Sequence, residues 1–74
     1  MTPEEIKRLI KNTTNQCYLR FKNNILEVVE ELAIDHASNS IQGRIIGSDN
    51  NDRCGIDINV GLENLSKLPK IHKK

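Results

Sequence analysis

The chain has no tryptophan, one phenylalanine (Phe21) and one tyrosine (Tyr18), which excludes a core built on aromatic rings. It also leaves few rigid anchors for a protein-binding hot spot or a base-stacking platform. Cysteine is nearly as scarce. Cys17 and Cys54 are too few for the disulfide framework of a small secreted domain, so two reduced thiols in a cytoplasmic protein are expected. Long apolar runs are missing as well. Met1-Thr2-Pro3-Glu4-Glu5 opens the chain with acids and no apolar stretch follows, which argues against a secretory signal and a membrane span.

What is present is aliphatic. Ile, Leu, Val and Phe supply 21 of the 74 residues, above the level of about 20% below which disorder is expected. The expectation is a single domain over residues 1–74, small enough to bury only about 60% of its unfolded surface. The net charge of +1 is unevenly spread. Residues 6–26 carry five cations and no acid, residues 27–63 carry eight acids against Arg44 and Arg53, and residues 64–74 are again purely basic. Blocks of this kind pair within the fold, with a second copy, or with a partner.

The first helix is marked by its cap. Thr2, Pro3 and Glu5 form a Thr-x-x-Glu capping box with proline at the first helical position. Ile6, Leu9 and Ile10 recur at helical spacing, and Asn12-Thr13-Thr14-Asn15 ends the run. Cys17, Leu19 and Phe21 alternate with Tyr18, Arg20 and Lys22, the period of a strand over 17–22. The same residues also extend a helical arc, so one long helix from Asn15 is the alternative. On a helical wheel Val28, Leu32, Ile25, Val29, Ala33 and Leu26 share one arc opposite Glu27, Glu30 and Glu31. Asn24 with Glu27 resembles a second capping box, and the expectation is an amphipathic helix from about Ile25 to Ala37.

The remainder reads as β. Residues 41–47 and 54–60 flank the turn chemistry of Ser48-Asp49-Asn50-Asn51-Asp52-Arg53, and all four glycines fall in this region. Leu62, Leu65 and Leu68 read as a helical turn over the core, ended by Pro69, and residues 70–74 as a frayed basic tail. The expected fold class is therefore α+β: an N-terminal helix, a short strand, an amphipathic helix and a β-hairpin in a small two-layer sandwich.

Candidate chemistry is thin. Cys17, Cys54, His36 and His72 could furnish four metal ligands, but no two stand at zinc-binding spacing, so no metal and no cofactor is expected. Asp49-Asn50-Asn51-Asp52 fails the calcium-loop pattern, with Arg53, Cys54 and Val60 at its fifth, sixth and twelfth places. Gly43-Arg44-Ile45-Ile46-Gly47-Ser48-Asp49-Asn50 is similar to the loop of KH-type RNA-binding domains, yet Asn50 replaces the second glycine and no amphipathic helix follows. No residue role is carried over from it. No paired-carboxylate, phosphate-loop or nucleophile-elbow motif occurs, and the chain is read as non-enzymatic.

Two binding readings follow. In the first, Glu27, Glu30, Glu31 and Asp35 form an acidic helix face that steers a basic protein partner. In the second, Lys7, Arg8, Lys11, Arg20, Lys22, Lys73 and Lys74 bind nucleic acid, with Tyr18 stacking on a base. A homodimer pairing the basic and acidic blocks of two copies is a third expectation.

Overall fold

The computed structural model describes residues 1–69; the tail read as frayed, 70–74, lies outside the described residues. Helix α1 (Pro3–Lys11) begins as the cap requires. The Glu5 amide donates to Thr2 Oγ1 at 3.2 Å and the Thr2 amide donates to Glu5 Oε1 at 3.0 Å. Nine residues are too few for a stable isolated helix, so α1 depends on burying Ile6, Leu9 and Ile10 against the sheet.

That sheet has five antiparallel strands: β1 (Cys17–Lys22), β2 (Ile25–Asp35), β3 (Ser40–Ser48), β4 (Asp57–Gly61) and β5 (Ser66–Lys67). Their order is β4-β3-β2-β1-β5, so the last strand returns to pair with the first. A two-residue turn joins β1 to β2. Asn23 (φ 53°) and Asn24 (φ 63°) both take the left-handed conformation that this tight hairpin requires and that asparagine tolerates.

The amphipathic helix expected over 25–37 is absent; those residues form β2, the central strand. Three physical facts explain the difference. The middle of β2 is covered on both faces, Val28 under α1 and Val29 in the opposite cluster, so its apolar residues run consecutively instead of alternating. Glu27 is buried among cations and interrupts the inner face with a charge. Finally, the β2–β3 register shifts between Glu31 and Ala33, a bulge that breaks period two near Leu32. Asn24 and Glu27 are thus a turn residue and a strand residue, not a cap. The expected layout of helix, short strand, amphipathic helix and hairpin gives way to one five-stranded antiparallel sheet with a single helix on one face.

Both faces carry core. Under α1, Ile10, Cys17 and Val28 are buried, with Leu9, Leu19, Ile46 and Leu68 packed around them. On the inner face, Tyr18, Val29, Ile41 and Ile45 are buried, and Leu62 and Leu65 from the β4–β5 link pack against them with Ile58 and Val60. Two glycines allow the close approaches. A Cβ at Gly43 would lie 2.5 Å from Val29 Cγ1, and one at Gly47 would overlap Leu9 of α1.

Candidate functional site

The hairpin register builds the site. With Asn23-Asn24 as the turn, Arg20 on β1 stands directly opposite Glu27 on β2, and Glu27 in turn faces Ser48 on β3. All three project from the inner face, at the end of the sheet away from the β2–β3 turn. Arg53 reaches the same point from the β3–β4 link, where a short 3-10 turn, Asn51–Arg53, is capped by Asn50 accepting from the Asp52 amide at 3.1 Å.

Glu27 is only 2% exposed, and each of its oxygens is engaged. Arg20 Nη1 donates to Oε1 at 3.1 Å; Arg53 Nε at 2.5 Å and Ser48 Oγ at 3.0 Å both donate to Oε2. Burial by itself would push this carboxyl up. The hydrogen bonds from Arg53 and Ser48, the charge of Arg53 and the bond from Arg20 outweigh it and hold Glu27 below its ordinary value. The carboxylate is therefore an ionised anchor for two guanidinium groups.

Those groups retain donors. Each guanidinium carries five N–H bonds, and among the described residues Arg20 donates only through Nη1 and Arg53 only through Nε. They open on a recess of about 190 Å³ that Lys22, Asn23 and Ile25 also line. Three cations and one carboxylate leave this recess two charges positive. A wider groove of about 420 Å³ adjoins it, between Arg20-Phe21-Lys22 on β1 and Asn59, Val60, Gly61 and Asn64 around the end of β4. It exists because β5 pairs only with Tyr18 and Leu19, leaving the rest of the β1 edge uncovered. Phe21 sits at that open edge, 67% exposed, the most exposed large apolar side chain described.

The four acids of the expected acidic face do not share a surface. Glu27 is buried in the cluster above. Glu30, on the helix face, accepts from the Thr13 hydroxyl and from Asn15 Nδ2 at 2.9 Å. Glu31, on the inner face, accepts from the Tyr18 hydroxyl at 2.7 Å. Asp35 accepts from the Ala37 amide at 3.0 Å at the β2–β3 turn, and hydrogen bonds from Ser38 and Ala37 hold its carboxyl low. Of the basic set, Arg20 and Lys22 come together. Lys7, Arg8 and Lys11 are exposed on α1, on the other side of the sheet, while Lys73 and Lys74 lie outside the described residues. Tyr18 is 7% exposed, with no face free for a base.

Arg53 escaped the sequence reading because it sits among acids in a turn. Its partner was within reach: reading Asn23-Asn24 as a hairpin turn places Arg20 opposite Glu27 by counting alone. Of the four candidate metal ligands, Cys17 is buried and Cys54 exposed, both free, His36 lies in the β2–β3 turn, and His72 lies outside the described residues. Among the described residues no helix is long and apolar enough to cross a membrane. Comparison of the chain with protein-family models, with curated proteins and with solved structures finds no match. Fold and site together define a small helix-capped antiparallel sheet whose distinguishing feature is a cationic recess over a buried glutamate.

Proposed function

We propose that the protein is a non-catalytic binding module that takes single-stranded nucleic acid along the groove of Arg20, Phe21 and Lys22. The observation that carries this reading is Phe21, 67% exposed at the open β1 edge and lining, with Arg20 and Lys22, the wider groove that adjoins the cationic recess. A ring open to solvent offers a stacking face that accepts any base, and flanking cations track the backbone. Asn59 and Asn64 across the groove supply neutral donors and acceptors for sugar or base edges.

The test is fluorescence anisotropy with labelled single-stranded RNA and DNA of mixed sequence over a range of salt. Binding should weaken linearly in log–log form with salt, and Phe21→Ala should weaken it by about 1–3 kcal/mol, the contribution of one stacked base. Affinity that ignores both salt and Phe21 would refute the reading.

A second reading, a protein partner, draws on a different observation. Leu32 and Ile34, each 40% exposed, lie toward the β2–β3 turn, far from the recess. Co-purification of a partner that is lost on Leu32→Ser with Ile34→Ser, but kept on Phe21→Ala, would favour it.

A further inference from the structure

We propose that the recess over Glu27 is a site for a single phosphoryl group, bound by Arg20, Arg53 and Lys22, with Glu27 as a positioning residue beneath them. This deepens the nucleic-acid reading and rests on it for the source of the phosphate.

Charge is the first argument. One carboxylate is neutralised by one guanidinium; here two arginines share it, and Lys22 lines the same recess. The arginine side chains are only 17% and 33% exposed, so the excess positive charge is partly withdrawn from water. An anion seated in the recess would neutralise it. Geometry is the second. Each guanidinium is fixed through one N–H to a buried oxygen, and a planar fork held in this way presents its remaining donors in a set direction, matched to phosphate oxygens. Ordering both side chains is accomplished in folding, so little entropy remains to be lost on binding. Size is the third. At about 190 Å³ the recess is smaller than the roughly 300 Å³ at which pockets for drug-sized molecules begin, so it suits one small group at the end of a longer ligand.

The test is an NMR titration of the full chain, followed through arginine Nε–H signals, with inorganic phosphate at constant ionic strength. The same oligonucleotide is then added with a terminal phosphate or a terminal hydroxyl. Phosphate should shift Arg20 and Arg53 saturably and leave Arg44, which is paired with Asp57 on the exposed surface, unmoved. Arg53→Lys keeps the charge but loses the fork, and should weaken phosphate binding by about tenfold, the size of one charge-assisted hydrogen bond. Lys22→Ala, whose exposed side chain has no bond to Glu27, should weaken it without any cost to folding.

Tighter binding of the terminally phosphorylated oligonucleotide would assign a monoester. Equal binding of both forms, weakened alike by Arg53→Lys, would assign a backbone diester. Arg20 and Arg53 signals that respond to phosphate no more than Arg44 would overturn the proposal. If oligonucleotides nevertheless bound, the nucleic-acid reading would stand without this site; phosphate binding with no oligonucleotide binding would leave the reverse.

Discussion

Replacing Arg53 with Met tests the energetic reasoning behind the cluster. The substitution keeps the aliphatic stem and removes the guanidinium, so Glu27 loses its contact at 2.5 Å while keeping Arg20 and Ser48. Stripping the partner from a buried ion costs about 3–5 kcal/mol when nothing replaces it. With two of three donors retained, about 2 kcal/mol is expected here. A domain of this size has roughly 4–11 kcal/mol in total, so the loss is a large fraction and should lower the melting temperature by about 8–16 °C.

The pH dependence supplies a sharper signature. Glu27 is depressed in the native state, so its contribution is fully present above its ordinary value of 4.5 and is lost as pH falls through the lower folded value. In Arg53→Met the hydrogen bond and charge of Arg53 no longer oppose burial, so the carboxyl rises from its depressed value and this contribution shrinks. The gap between the two proteins should therefore be widest near neutrality and narrow on acidification. Urea unfolding followed by circular dichroism at steps from about pH 7 to pH 3 measures it directly. A gap below about 0.5 kcal/mol, or one that stays constant with pH, would refute the assignment of Glu27 as a buried ionised anchor.

Three other outcomes are expected. Tyr18, 7% exposed and bonded to Glu31, has its phenol pushed up to about 12 by burial, then by that hydrogen bond and charge. Its stabilising effect should persist below its ordinary value of 10.0 and vanish as pH rises towards 12, read by ultraviolet titration of the lone tyrosine. Gly47→Ala should push Leu9 off the sheet and cost about 1–3 kcal/mol, measured by thermal unfolding, with helical ellipticity falling first. Cys54 should react with a thiol reagent in the native protein, whereas Cys17, 3% exposed and pushed up to about 11 by burial and then by Glu30, should react only on unfolding.

The helix α1 was legible because its signals are local: a cap, a proline and an apolar spacing that no distant residue alters. So was the alternation over 17–22. The central strand was not, and its concealment is physical. A strand covered on both faces loses its alternation, and Val28-Val29 with flanking leucines then mimics the arc of a helix. The candidate site inherited that error. Glu27, Glu30 and Glu31 fall on one side of a helical wheel but on alternating faces of a strand, so a face that seemed acidic separates into a buried anchor, a bond to the helix–sheet loop and a partner for Tyr18. The decisive residues were Asn23 and Asn24, whose tolerance of positive φ marks a hairpin more strongly than it marks a cap.

The return of β5 to β1 also has a meaning in time. Leu19 pairs with Ser66 and Tyr18 with Lys67; the Leu68 amide then donates to the Cys17 carbonyl at 2.9 Å, and its own carbonyl accepts from Gln16 Nε2 at 2.6 Å. During synthesis, the outer edge of β1 must wait for about fifty further residues before its partner leaves the ribosome. Until then that edge is a template for any extended segment nearby. Contacts so distant in sequence also slow the final closure, placing folding in the millisecond-to-second range rather than among the fast helical domains. The nascent chain is thus most vulnerable to mispairing over the interval between translation of Lys22 and of Leu68.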